Sequence, residues 1–388
     1  MNLIERQNPW WYGGKDHHLE IWNSMELKWV PEWIERVSLK PFSLNFIVGP
    51  RQVGKTTGLK LLISELLRRQ RPESIFYFDC TLLVDLESFK RTLDFYLEMK
   101  KAEGIETSFI FLDEVTALKE WWRIIKGYLD MGLFKHDVIV VTGSSSLRLK
   151  GEVELFPGRR GYGKDVTVLP LSFREFLKVK GFKIKRWNLS EKLKEGFEEY
   201  LEVGGFPLSV NRHITAEQAL ITSLEGEVLR SGKSLQLVKE VIGSIMKKAP
   251  SPVSFSVIGS DIGVSYKTVQ EYVELLRGLF VLDMALFKEN GIKWRKERKF
   301  FFLDPFMART LAAWTGSRYL ESALYEWIVQ AHLMRKYGEV YYYRNGYEID
   351  CIAGGHKLEV KAGKPHRRYP KGVRVLEEEE LPAFLAGL

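Results

Sequence analysis

Apolar positions along this chain follow two periods, and the switches between them divide it into elements. The mostly apolar runs Leu44–Val48, Ile75–Asp79, Ser108–Glu114, Asp137–Val141 and Asp165–Leu169 are short enough to be buried strands. After the first run, Leu59, Leu62, Ile63, Leu66 and Leu67 recur at helical spacing. Helical segments separate the later runs as well. Strands alternating with helices in this way predict a parallel sheet covered on both faces.

Beyond residue 170 the pattern becomes helical, with segments predicted over 171–188, 190–201 and 216–229. A composition shift at Ala249-Pro250-Ser251-Pro252 marks a boundary. Phe255–Ile262, a turn at Gly263-Val264, and a helix over 265–279 with Val269, Tyr272, Val273 and Leu276 on one face fit a helix-turn-helix. The strand Val281–Phe287, the Asn290-Gly291 turn and Lys299–Leu303 then read as a hairpin, the wing of a winged helix. The last third offers an amphipathic helix Ala323–Tyr337, a strand Val340–Arg344 and a hairpin, Tyr347–Ala353 with His356–Ala362, around Gly354-Gly355.

With 388 residues, two to three domains are expected. No segment is apolar long enough to span a membrane, and Met1–Trp11 lacks the basic start and apolar core of a signal peptide. The two cysteines, Cys80 and Cys351, show no metal-type spacing and point to a reducing cytoplasm. A net charge of +8 permits a nucleic-acid partner without requiring one.

The chemistry is concentrated after the first strand. Gly49-Pro50-Arg51-Gln52-Val53-Gly54-Lys55-Thr56, followed by Thr57, is a complete phosphate-binding loop between a strand and a helix. The glycines let backbone N–H groups turn toward phosphate oxygens, and the helix adds its positive end. Lys55 is expected at the β- and γ-phosphates and Thr56 on Mg²⁺. The strand 108–114 ends in Asp113-Glu114, where Asp113 can hold the Mg²⁺ shell and Glu114 can polarise the attacking water. The fourth strand ends in Thr142-Gly143-Ser144-Ser145-Ser146, and Ser144 is the expected γ-phosphate sensor. The guanine-reading N-K-x-D pattern is absent, so the nucleotide is expected to be ATP. Asn8-Pro9-Trp10-Trp11-Tyr12 either covers the adenine or pins the tail to the core.

Two further groups carry charge. Lys288, Lys293, Arg295, Lys296, Arg298 and Lys299 surround Trp294 in the wing, which suits contact with DNA phosphates without sequence preference. In the C-terminal hairpin a two-residue turn pairs Ala353 with His356, Cys351 with Leu358 and Asp350 with Glu359. Ile349, Cys351, Leu358 and Val360 then share one face, and Glu348, Asp350, Glu359 and Lys361 the other. These carboxylates repel one another unless something binds, and a divalent metal would resolve the repulsion. With Glu326 on the preceding helix, the set Glu326, Asp350, Glu359 and Lys361 resembles the PD-(D/E)xK nuclease pattern. It departs from that pattern between Lys361 and the next strand, Val373–Leu376, where Pro365 and Pro370 leave no room for the usual helix.

GPRQVGKTT, FLDEVTALKEWW, VTGSSSLRL, FPGRRG, LPLSFREF and VGGFP occur in this order, and the chain thereby resembles the archaeal ATPase family of AAA+-like, STAND-related P-loop proteins. The resemblance implies an α/β fold: an ASCE-type P-loop core with a five-stranded parallel sheet, a helical lid, a winged helix and a small α+β nuclease-like end. The corresponding boundaries are 1–169, 170–249, 250–304 and 305–388. It places Arg159 or Arg160 where a charge-stabilising arginine acts, within the chain or on a neighbour. It also likens Gly204-Gly205-Phe206-Pro207 to the element that sets Pro207 against the nucleotide. Two functions follow: an ATP- and Mg²⁺-dependent machine acting on DNA, or a STAND-like nucleotide switch that binds a protein partner or self-associates and cuts nothing.

Overall fold

The computed structural model describes residues 2–144, 156–182, 189–361 and 369–388. The chain divides into two units, Met1–Leu169 and Pro170–Leu388.

The first unit is built on a five-stranded sheet of order β2-β3-β4-β1-β5. Its strands are β1 (Ser43–Val48), β2 (Ile75–Asp79), β3 (Phe109–Asp113), β4 (Val138–Gly143) and β5 (Asp165–Thr167). Every neighbouring pair is parallel. Strands β1, β3 and β4 are buried along their whole length, as expected for a sheet with helices on both faces. The order inserts β4 between the strand that precedes the phosphate loop and the strand that ends in Asp113-Glu114. The loop itself lies beside the point where the strand order reverses, the usual ligand position in such sheets.

A parallel sheet leaves an edge strand with unpaired backbone groups. At β2 the N-terminal segment covers that edge. The Asn8 side chain donates to Tyr77 O at 2.9 Å and accepts from Tyr77 N at 2.7 Å, which imitates one rung of a further strand. Trp10 and Trp11 both donate their indole N–H to Ile75 O, at 3.0 and 2.9 Å, and Trp11 stacks on Tyr96. Of the two readings of the tryptophan pair, pinning the tail to the core is the one these contacts serve.

The second unit holds a six-stranded sheet of order β11-β10-β9-β8-β6-β7. Its strands are β6 (Leu282–Phe287), β7 (Arg298–Phe302), β8 (Tyr341–Asn345), β9 (Tyr347–Ala353), β10 (His356–Lys361) and β11 (Arg374–Glu377). The sheet that contains the hairpin β6–β7 does not end at residue 304. Its open edge pairs with β8 through Leu286–Tyr341 and Phe287–Tyr342, so one sheet runs across the expected boundary between 250–304 and 305–388. An isolated hairpin would expose that edge, and the tyrosine-rich β8 pairs it. Helices Phe255–Ile262 and Tyr266–Gly278 precede the hairpin. Helix Glu321–Tyr337 is buried through its middle, from Tyr325 to Leu333.

The helix expected over 171–188 is shorter. It spans Phe173–Val179, opened by a capping box between Ser172 and Glu175. The Lys180-Gly181 pair breaks the apolar stripe, and residues 183–188 lie outside the described ones. The Gly204-Gly205 pair is explained by a close approach. A Cβ at Gly205 would sit 2.1 Å from Leu171 O, and Gly205 N donates to the buried Asp304 carboxylate at 2.7 Å. Burial lifts the Asp304 pKa to about 6, against the pull of that N–H and of Met307 N–H.

The Asn8 rung can be weighed directly. Asn8→Ala leaves the Tyr77 backbone without either partner, and should cost roughly 2 kcal/mol in urea unfolding. A loss within error would show that the tail covers the edge without stabilising it.

Candidate functional site

The phosphate loop joins β1 to the helix Lys55–Leu66. Gly54 takes φ +87° at the N-cap of this helix, a conformation that costs glycine nothing and other residues strain. The N–H groups of the helix's first turn have no intrahelical acceptor and lie next to the loop. Lys55 is buried. Its Nζ donates to Gly49 O and Pro50 O, both at 3.0 Å, and lies 3.3 Å from Glu114 Oε1.

Asp113, 2% exposed, receives three hydroxyl donors. Thr56 Oγ1 donates to Oδ2 at 2.6 Å and Tyr77 OH to the same oxygen at 3.0 Å. Thr142 Oγ1 donates to Oδ1. Burial, and then the charge of Glu114, raise the Asp113 carboxyl above its ordinary range, while the three hydroxyls oppose the rise. Glu114 has φ +50°, and its N–H donates to Thr142 Oγ1 at 2.8 Å. That turn aims the carboxylate back at Lys55, and leaves Glu114 Oε2 buried with no hydrogen-bond partner among the described residues.

Thr142 and Tyr77 are residues that the sequence pattern did not single out. Thr142 owes its place to β4 lying between β1 and β3, a fact of strand order. The expected sensor Ser144 follows it, buried at the end of β4. Arg159 and Arg160 lie in the same unit and are engaged with aspartates, Arg159 with Asp130 and Arg160 with Asp165. Either would have to leave its partner to reach a phosphate. Pro207 belongs to the second unit, where it opens the short helix Pro207–Val210.

In the second unit the hairpin ladder runs from Ala353–His356 to Cys351–Leu358. Past it, Asp350 Oδ2 accepts the Val360 N–H at 2.9 Å. Glu326, Asp350 and Glu359 are all buried, but what resolves their repulsion is a lysine. Lys299 Nζ lies 3.0 Å from Glu326 Oε1, 2.7 Å from Glu348 Oε1 and 2.5 Å from Asp350 Oδ1. This corrects the assignment of Lys299 to the exposed wing. It is 2% exposed, on a strand whose residues from Lys299 to Phe302 are all buried. Burial would pull its pKa down, yet Glu326, Asp350 and Glu348 together hold it well above the ordinary lysine value. Glu326 is pushed up by burial and by Asp350. Glu359 pairs with Lys361 at 2.6 Å and accepts from Tyr369 OH at 3.0 Å. Burial, then Asp350, lift Glu359 to about 7. Among the described residues no group of three or more His, Cys, Asp or Glu side chains converges in a way that would hold a metal ion. The expected metal pair Asp350 and Glu359 is thus served by two ammonium groups.

The remaining wing residues divide. Lys293, Trp294, Arg295 and Lys296 are exposed. Arg298 is half-buried, donates to Trp294 O at 2.9 Å and lies 4.2 Å over the Phe255 ring, so its guanidinium braces the loop. Lys288 lies 4.2 Å over the Tyr341 ring.

Removing the Lys299 charge tests its role as counter-ion. Lys299→Met should cost about 3–5 kcal/mol at pH 8, since it leaves buried carboxylates uncompensated. The folded-state pKa of Glu326 lies above its unfolded value, raised by burial and by Asp350, so part of the loss should return as the pH falls toward 5. A pH-independent loss in urea titrations would reduce Lys299 to a packing residue.

A family model described as an AAA domain matches residues 42–177, and one described as a domain of unknown function matches residues 194–318. An uncharacterised protein of Methanocaldococcus jannaschii is 23% identical over 344 residues, which is 84% of this chain and 75% of that protein. Among solved structures, the ORC2 protein of Aeropyrum pernix in its ADPNP–ADP complexes matches with a TM-score of 0.42 and 11% identity, over 71% of this chain and 88% of that one. The ORC1 protein of Aeropyrum pernix in complex with DNA matches with a TM-score of 0.36 and 12% identity, over 73% and 89%. Among the described residues no helix is long and apolar enough to cross a membrane. The phosphate loop, the Asp113-Glu114 pair and the strand order, together with the match over residues 42–177, make this segment a P-loop ATPase domain of the AAA type.

Proposed function

We propose that the chain binds ATP with Mg²⁺, hydrolyses it in the first unit, and contacts DNA through the exposed part of the wing. The observation that carries the ATPase reading is the buried oxygen Glu114 Oε2, which has no hydrogen-bond partner among the described residues while Oε1 is held by Lys55. A carboxylate tethered at one oxygen and open at the other is suited to take a proton from an attacking water. Thr56 and Asp113, already in contact at 2.6 Å, are hard oxygen groups of the kind that hold Mg²⁺ beside a nucleotide. When bound, that ion would neutralise charge on the phosphates. Lys55 would exchange the carbonyls of Gly49 and Pro50 for phosphate oxygens, and Gly54 and the first helical turn would offer N–H groups to them.

Lys55→Ala should abolish tight ATP binding, whereas Glu114→Gln should keep binding and lose turnover by a factor of about 10² or more, because it removes only a step made in the transition state. Fluorescent-nucleotide titration and phosphate release separate the two. Unchanged turnover in the Glu114 variant would remove it from the base role.

For DNA, the supporting feature is the cluster Lys293, Arg295 and Lys296 around Trp294, which is 66% exposed. Cationic side chains beside an exposed aromatic favour phosphate contact over base reading. Cutting DNA is no part of this reading, since Lys299 and Lys361 compensate the carboxylates that a nuclease metal would need. Neutralising Lys293, Arg295 and Lys296 together should weaken duplex binding for all sequences alike. It should also flatten the salt dependence by about 0.9 for each DNA phosphate that the wing no longer neutralises. An unaltered slope favours the other reading, a nucleotide switch whose second unit binds a protein partner.

A further inference from the structure

The side of the site at Asp113 is tied to the N-terminal segment by interactions that the ATPase chemistry alone does not call for. Tyr77 stands on β2 at the level of Phe111, two residues before the Asp79–Asp113 pair. Its side chain therefore shares a face with Asp113 and reaches it diagonally. It donates to Oδ2, the oxygen that Thr56 also holds. If Thr56 turns to a bound ion, Tyr77 remains as the fixed donor to that oxygen.

Tyr77 is in turn clamped on three sides. Asn8 holds its backbone N–H and carbonyl. The ammonium of Lys60 lies 3.2 Å from the centre of its ring and 5.1 Å from that of Trp10. Lys60, 5% exposed, pairs with Asp16 at 2.9 Å. Asp16 also caps the helix His17–Ser24 through Leu19 N. From that helix His18 Nε2 makes a 2.8 Å contact with Thr57 Oγ1, next to Thr56. A buried lysine is costly unless its charge is used. Here it joins an aromatic face to a carboxylate of the N-terminal segment, so residues 8–18 form a strap across the edge of the sheet and the start of the phosphate-loop helix.

We propose that Tyr77 is a positioning residue for Mg²⁺, acting through Asp113, and that the strap holds it in place through Asn8 and through the Asp16–Lys60 pair. The inference rests on the ATP and Mg²⁺ reading above. Tyr77 acts on Asp113 through its hydroxyl, and so fixes which way that carboxylate points. Disturbing the strap should therefore change how the site responds to Mg²⁺ and leave nucleotide affinity without metal unaltered.

The test titrates Mg²⁺ into the full chain loaded with a fluorescent ADP analogue, and separately into an ATP hydrolysis assay. Tyr77→Phe removes one hydroxyl and keeps the ring under Lys60. The half-saturating Mg²⁺ concentration should rise about tenfold in both assays, the worth of one hydrogen bond to a charged group. Affinity for the analogue in EDTA should equal that of the wild type. Asp16→Asn, which lies outside the nucleotide-binding groups, should shift the Mg²⁺ midpoint in the same direction by a smaller factor. Unfolding midpoints identify a variant that fails to fold, in which case the Asp16 variant decides. A wild type that responds to Mg²⁺ together with variants that titrate identically overturns the inference and leaves the ATPase reading standing. A wild type whose nucleotide binding ignores Mg²⁺, or is matched by Lys55→Ala, overturns that reading and the inference with it.

Discussion

The first unit depends on holding one carboxyl group, Asp113, in a fixed orientation where water does not reach it. An isolated buried carboxylate would take up a proton, since desolvation disfavours the ion by several kcal/mol. Hydroxyls from three separate elements oppose this: Thr56 from the phosphate-loop helix, Thr142 from β4 and Tyr77 from β2. Tyr77 and Thr142 reach Asp113 because the strand order places β2 and β4 on either side of β3, and Thr56 reaches it from the start of the helix that follows β1. The sheet topology is thus the device by which hydrogen bonds converge on one oxygen pair. The same convergence fixes Glu114, whose N–H bonds Thr142.

The second unit meets the same problem with a different solution. Its carboxylates Glu326, Glu348 and Asp350 are met by an ammonium, Lys299, instead of by neutral donors. A lysine on β7 at this position turns what reads as a cation-binding face into an internally compensated one. Buried ion clusters of this kind contribute little net stability over an apolar core, but they are costly to break. Lys299 therefore welds β7, β9 and the helix Glu321–Tyr337 into a single arrangement. That is consistent with one sheet running across residues 298–361.

Legibility from sequence followed the range of the interaction. The phosphate loop was readable because its parts are consecutive: a strand, a turn requiring Gly54 and a helix start. Asp113-Glu114 was readable because the apolar strand before it is local too. The hairpin ladder from Ala353–His356 to Cys351–Leu358 was readable because a two-residue turn leaves one register. The helix over 171–188 was overextended, because apolar spacing alone does not show where a stripe ceases to face anything. The tryptophan pair stayed open between two roles until the edge strand that it covers was known.

The amino-acid sequence by itself determined the nucleotide-binding loop, the acidic pair and the alternation of strands and helices, since each is written within a dozen consecutive residues. Tertiary structure decided which charges meet. Lys299 reads as one more basic residue in a basic wing, and its spacing says nothing of the carboxylates 27 and 51 residues onward that surround it. Tyr77 reads as one aromatic in an apolar strand until β2 lies beside β3, with Asp113 36 residues away. Long-range electrostatic partners are set by strand order and by the phase of each strand, and a chain records those only through the packing of the whole sheet.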